Sequence, residues 1–109
     1  MGKKADITLI KPFLRDVKKK FAPARIILYG SRAKGTARKD SDYDIIVISP
    51  AFKSMDLLDR GAQLYYMKRS IHAAMDIVGY TPAEWKKKTK RFTMMKDILR
   101  EGKDITAMV

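Results

Sequence analysis

The chain of 109 residues is predicted to fold as one mixed α/β domain, a small mixed sheet of about three to four strands backed by helices. Three observations carry that prediction. Short apolar runs alternate with longer segments of helical periodicity, the pattern of a sheet layered with helices. The strand-like runs are apolar on both faces along much of their length, so helices should cover the sheet on both sides. The length and a 46% hydrophobic content suit one core spanning residues 1–109 and leave little for a second module.

The elements follow in order. A first helix is expected from about Thr8 to Phe21, because Ile10, Phe13, Leu14, Val17 and Phe21 recur at the spacing of one helical face. Pro12 fits only in the first turn, where its missing N–H costs nothing, and Pro23 closes the segment. Ala24 to Tyr29 reads as a strand ending at Gly30. Gly30 to Asp40 is a loop with room for one helical turn. Asp42 to Ser49 is the second strand, stopped by Pro50. Asp56 to about Ile71 reads as a helix with Leu57, Gly61, Leu64, Met67 and Ile71 on its inner stripe. Ala74 to Tyr80 is the third strand. Thr81, Pro82 and Glu84 then mark a helix start, as N-cap, first helical residue and capping-box partner. A last helix covers about Phe92 to Glu101, with Phe92, Met95 and Leu99 inward and Gly102 as its stop.

Bulk chemistry excludes several classes. There are no cysteines, so disulfides and zinc–thiolate sites are absent. Met1 to Lys4 is not followed by an apolar core of a secretory signal, and no apolar run approaches the ~18 residues of a membrane span. The expected setting is the cytoplasm, with no membrane contact. Net charge is +12, from 24 basic and 12 acidic residues. Such an excess attracts polyanions, including nucleotides and RNA, although it also suits a solvated surface. Many of the bases fall in two clusters, Lys18 to Lys20 and Lys86 to Arg91, near expected helix ends where cations complement the dipole.

The acids are fewer and more informative. Asp42 and Asp44 lie two apart on an expected strand, which turns both side chains to one face. Asp76 lies inside another apolar run, Ala73 to Val78. Asp is a poor strand former, and a buried carboxylate without a partner is costly. If the two strands are neighbours, three negative charges converge and call for cations. Three carboxylates can bridge two Mg²⁺ ions roughly 3.5–4 Å apart, the arrangement used in phosphoryl transfer. Taken singly, Asp42 could cap a turn and Asp76 could pair with a lysine or arginine.

The loop Gly30-Ser31-Arg32-Ala33-Lys34-Gly35-Thr36 runs directly into the acid pair. A glycine after a strand lets backbone N–H groups approach a phosphate, and the Ser31 hydroxyl can donate to one. Arg32, Lys34 and Arg38 add positive charge. A triphosphate held by Gly30 and Ser31 could therefore share metal with Asp42 and Asp44; the plainer reading is a Gly/Ser turn with surface bases. A Walker A loop is excluded, because Gly35 is followed by Thr36-Ala37 rather than by lysine and a hydroxyl residue. An EF-hand is excluded too, because Ile45 stands where its glycine is required and Ala51 where its glutamate is.

Gly30-Ser31, ten residues, Asp42-Tyr43-Asp44 and later Asp76 resemble the DNA polymerase beta-like nucleotidyltransferase superfamily. The fuller run from Gly30 to Val47 resembles its minimal nucleotidyltransferase branch, and the likeness extends over about Ala24 to Trp85. The resemblance implies a palm-like core and the transfer of a nucleoside monophosphate from a nucleoside triphosphate, foremost ATP, to a hydroxyl acceptor. It implies that Gly30 and Ser31 hold the terminal phosphates and that Asp42 and Asp44 bind two Mg²⁺ ions. Asp76 would complete the catalytic metal site and help deprotonate the acceptor, with Arg32 and Arg38 as phosphate contacts. Small members of this branch often pair with a helical-bundle protein of the HEPN type, which can serve as the acceptor. Two alternatives stay open: an antitoxin subunit acting mainly by protein–protein binding, and an RNA-associated basic protein. His72, Tyr80 and Trp85 could each touch substrate, but a helix-end position for His72 and core packing for the other two are the simpler expectations. Of Tyr65 and Tyr66, one is expected to face the core and the other a surface.

Overall fold

Ile, Val and Tyr dominate the short runs because branched and aromatic side chains fit a pleated surface packed on both sides. The computed structural model describes residues 6–91 and 93–109. Met1 to Lys4 and Phe92 lie outside the described residues, as do the side chains of Met94 and Leu99. The elements are α1 (Lys11–Lys20), β1 (Arg25–Tyr29), α2 (Ser31–Lys34), β2 (Tyr43–Ile48), a 3-10 turn (Pro50–Ser54), α3 (Leu57–Met67), β3 (Met75–Tyr80), α4 (Pro82–Arg91), α5 (Thr93–Glu101), β4 (Lys103–Asp104) and a closing 3-10 turn (Thr106–Met108). The sheet order is β3-β2-β1-β4. β1 runs antiparallel to β2 and β4, and β2 runs parallel to β3. The mixed α/β class is as expected, and β4 is an addition that its two residues gave no pattern to foretell.

Both sheet faces are covered, and by different helices. On one face Phe13, Leu14 and Val17 of α1 and Leu64 of α3 bury against Ile26, Leu28, Ile45, Val47 and Ile77. On the other, Trp85 of α4 and Met95 and Ile98 of α5 pack on Ile27, Ile46, Ile48 and Tyr80. Trp85 and Tyr80 are therefore core residues, with ring centroids 6.0 Å apart. Pro12 falls in the first turn of α1. Thr81 and Glu84 close the expected capping box: Thr81 N donates to Glu84 Oε1 at 2.7 Å and Glu84 N donates to Thr81 Oγ1 at 3.2 Å. Among the described residues, no helix is long and apolar enough to cross a membrane.

The inner stripe of α3 differs from the expectation. Leu57 is exposed, and the helix ends at Met67, followed by a turn at Lys68-Arg69-Ser70. Arg60 takes the inward place, 4% exposed. Its guanidinium donates to the carbonyls of Met55 at 3.0 Å, Phe52 at 2.7 Å and Gly79 at 3.3 Å, and to Glu84 Oε1 at 2.6 Å. One side chain thus ties α3, the 3-10 turn, β3 and the start of α4 together. Helical periodicity cannot foresee this, because the stripe it seeks is apolar. Tyr65 and Tyr66 are both exposed, against the expectation that one faces the core. The Tyr65 hydroxyl accepts from Ile77 N at 3.0 Å, so its ring lies over the edge strand.

Truncating Arg60 leaves three carbonyls without this donor, so Arg60→Ala should cost about 3 kcal/mol of unfolding free energy. Urea denaturation measures it, and a loss under about 1 kcal/mol would sink the assignment of Arg60 as the tie. The Arg60 hydrogen bond holds the Glu84 carboxyl below the usual glutamate range; burial opposes this, and Thr81 assists. A depressed carboxyl contributes stability that is present above its unfolded pKa and is lost as pH falls through the depressed value. Stability should therefore decline on acidification below about pH 4, and Glu84→Gln should flatten that limb. Identical acid limbs in the two proteins would contradict the link.

Candidate functional site

Strand pairing settles where the acids stand. Asp44 of β2 lies in register with Asp76 of β3, and Tyr29 of β1 lies in register with Asp44. Residues opposite one another on paired strands share a face, so Tyr29, Asp44 and Asp76 line one face at one end of the sheet. It is the face that α4 and α5 cover further along, over Ile46, Ile48 and Tyr80. The helices stop short of the acids. Asp76 is exposed and Asp44 is half-buried, which corrects the expectation of a buried carboxylate on β3. The apolar neighbours that made Asp76 look buried, Met75 and Ile77, point to the opposite face.

Asp42 lies just before β2 rather than on it, and is exposed. Its charge still reaches Asp44. Burial, then Asp76, then Asp42, push the Asp44 carboxyl above the usual range. None of the three acids makes an ion pair among the described residues. No three His, Cys, Asp or Glu side chains among them converge closely enough to hold a cation unaided. The structure thus brings Asp44 and Asp76 together and leaves Asp42 within electrostatic reach. Tyr29 is the residue that sequence reading passed over. Burial, Asp76 and Asp44 together push its phenol up to about 12, so it stands protonated beside Asp44, with Asp76 one strand further on. A strand register was needed to find it.

The loop is built around Gly30. Its φ of 72° with ψ of −156° is a conformation that L side chains rarely adopt. A Cβ there would fall on the Asp44 carboxylate, so only glycine lets the loop backbone lie against that acid. Ser31 opens the single turn of α2 directly beside it, and Gly35 ends the turn in the left-handed region. Arg32 folds back: Nη2 donates to the carbonyls of Ser41 at 2.8 Å and Lys39 at 3.2 Å, and Nε to Ser41 at 3.2 Å. The same guanidinium lies 4.3 Å from the Tyr43 ring centroid. It therefore fixes the approach to Asp42. Arg38 is exposed, and its backbone N–H donates to Ser41 Oγ at 2.8 Å. Lys34 pairs with Glu101 at 3.0 Å, which ties the loop to α5. His72 is exposed in the connection that leads into β3.

Gly30→Ala should cost about 2–3 kcal/mol from backbone strain alone, with the overlap on Asp44 adding to it. In an Asp44→Ala background that overlap disappears, so the second substitution should be milder there by at least about 0.5 kcal/mol. Chemical denaturation of the four proteins of this cycle tests it. Strict additivity would mean that Gly30 and Asp44 do not touch.

Solved structures share this fold at low identity. A candidate nucleotidyltransferase from Sulfolobus solfataricus superposes with a TM-score of 0.61 at 23% identity, over 91% of this chain and 78% of that one. A toxin–antitoxin protein solved with AMP-PNP gives 0.58 at 18% identity, over 86% and 70%. BolA1 from Arabidopsis thaliana gives 0.56 at 20% identity, over 71% and 95%. No curated protein matches the chain. Likeness of backbone alone therefore spans proteins of different description, and assignment has to come from the sequence pattern across the fold. That pattern is matched over residues 10–103 by the nucleotidyltransferase domain family, and the chain belongs to that family.

Proposed function

We propose that residues 1–109 form one metal-dependent nucleotidyltransferase domain. It moves a nucleoside monophosphate from a nucleoside triphosphate, foremost ATP, to a hydroxyl acceptor, with a hydroxyl on a helical-bundle partner protein as one such acceptor. The observation that carries the reading is the register of Asp44 with Asp76 beside the Gly30 loop. Burial, then Asp76 abreast and Asp42 near, raise the cost of ionising Asp44, and a hard divalent cation relieves it. The oxygen-only donor set suits Mg²⁺, and because the three acids do not enclose a site alone, the triphosphate would complete the shell. Asp42, Asp44 and Asp76 would hold the ions. When bound, two such ions polarise the phosphoryl group and acidify the attacking hydroxyl.

The chain's own residues do the rest. The Gly30 backbone and the Ser31 hydroxyl bind the terminal phosphates, and Arg38 adds a charged contact. Arg32 positions the segment leading to Asp42 rather than serving only as a phosphate ligand. Asp76, exposed at the open end of the face, accepts the proton of the incoming hydroxyl. A bond forms between that oxygen and the α-phosphorus, the α–β anhydride bond breaks, and diphosphate leaves. A cytoplasmic setting suits this chemistry, because it supplies both ATP and Mg²⁺.

A second reading is supported by a different observation. α3 exposes Leu57 at 63%, Leu58 at 82% and Tyr66 at 64%, apolar area suited to a partner. In that reading the chain is an antitoxin subunit whose grip matters more than its chemistry, and a toxin–antitoxin protein shares its fold. Asp44→Asn and Asp76→Asn separate the two. For an enzyme, each should lower Mg²⁺-dependent transfer from labelled ATP by about a hundredfold or more. Magnesium should also raise the melting midpoint of the wild type in the presence of ATP and leave Asp44→Asn unmoved. Unchanged neutralisation of a partner by both variants, with no transfer by the wild type, would replace the enzyme with the binding subunit.

A further inference from the structure

We infer that α4 and the cleft beside it form a binding site for single-stranded nucleic acid, separate from the carboxylates. α4 carries Lys86, Lys87, Lys90 and Arg91 in exposed positions. At 100° per residue these four occupy roughly 140° of the helix surface, a continuous basic ridge. None of the four makes an ion pair among the described residues. The one acid of α4, Glu84, is taken by Arg60 and by the Thr81 backbone, so it does not neutralise the ridge. α4 therefore presents four exposed cations in a row that no ion pair among the described residues neutralises.

A second observation gives the ridge a direction. A cleft of about 500 Å³ opens at its base, walled by Ile48, Trp85, Pro23 and Pro50, with Lys86 and Thr89 from α4 on its rim. Arg25, which pairs with Asp104, borders the same cleft. The volume lies in the range of small-molecule sites, about 300–1,000 Å³. An apolar concavity whose rim holds Lys86, the first of a row of cations, matches a planar base attached to a phosphate backbone. A run of acidic side chains alone would meet the ridge but leave the apolar cleft unfilled. A membrane surface would need large apolar side chains among the cations, and the exposed face of α4 offers only Pro82 and Ala83. The cleft sits at the far end of the sheet face that carries the acids: Ile48 is four residues beyond Asp44 on β2, roughly 13 Å at ~3.3 Å per residue. Binding here does not depend on the transferase chemistry.

The test is a titration of the full chain with fluorescein-labelled oligouridylate, followed by anisotropy across a salt series. Four phosphate contacts predict a slope of log affinity against log salt near about −3, at ~0.7 per contact. Charge reversal in a Lys86→Glu, Lys87→Glu, Lys90→Glu variant should weaken binding more than tenfold and bring the slope to about −1, without lowering the melting midpoint. Trp85 is the sole tryptophan and lines the cleft, so its emission should change with oligouridylate and stay constant with inorganic polyphosphate. Thr89→Phe should fill the cleft and weaken oligouridylate alone. Asp44→Asn should bind oligouridylate like the wild type, which keeps this inference apart from the transferase reading. Absence of binding at about 50 mM salt, or affinity unchanged by the charge reversal, overturns the proposal. So does equal binding of polyphosphate with no Trp85 response, or stronger binding to phosphatidylserine vesicles than to oligouridylate.

Discussion

The parallel pairing of β2 with β3 is the constraint on which the rest of this molecule depends. Register fixes Asp44 beside Asp76, and a slip of one residue would turn either acid to the opposite face, into the apolar cluster of Ile45 and Ile77. That alternative is prohibitively costly, because it would bury a carboxylate without a partner. The same apolar residues that build the core under α1 and α3 therefore hold two like charges abreast on the other side. Strand pairing is strong enough to impose an arrangement that the carboxylates themselves oppose.

The opposing cost is moderated by incomplete cover. α4 and α5 pack only on the part of the face formed by Ile27, Ile46, Ile48 and Tyr80. Asp76 is exposed to water and Asp44 is half-buried. Had the helices extended over the acids, their mutual repulsion would have acted at low dielectric and become far larger. The start of α4 is fixed by its capping box, and that box is fixed in turn by Arg60, whose remaining donors serve β3 and the 3-10 turn. A buried arginine on the far side of the sheet thus helps set where the helical cover begins.

Much of this was legible in the sequence, and the misses share a cause. The α1 stripe, the strand positions, the loop turn at Ser31 and the Thr81–Glu84 cap all follow from local periodicity or local hydrogen bonding, which a sequence displays directly. The Asp42–Asp44 spacing and the glycine before Ser31 are equally local. What escaped was set by pairing over long separations. Met75 and Ile77 made the Asp76 run look buried, yet burial on one pleat face says nothing of the other. Leu57 fits an inner stripe by spacing and is displaced from it by Arg60, whose partners lie on three other elements. Tyr29 joins the acids only through the β1–β2 register, and Arg32 turns from a plain surface base into a loop clamp through carbonyls at Lys39 and Ser41. β4 exists because Lys103 and Asp104 find the free edge of β1, with two residues too few to show any pattern.

The likeness to BolA1 sharpens where function resides. A backbone of this shape accommodates proteins of different description, so the sheet and its helices do not by themselves imply nucleotide chemistry. What distinguishes this chain is a small set of incompatibilities with an inert scaffold. Two acids stand in register where a β-branched pair would be more stable. A glycine occupies a conformation that only it adopts readily, pressed against one of those acids. An arginine spends its donors on holding the short segment that delivers a third acid. Each feature lowers the stability of the scaffold or restricts its sequence, and all three meet within one loop and two strand ends. Local conflict with folding preference, concentrated at one place in an otherwise consistent fold, is what sets this loop and these strand ends apart from the scaffold around them.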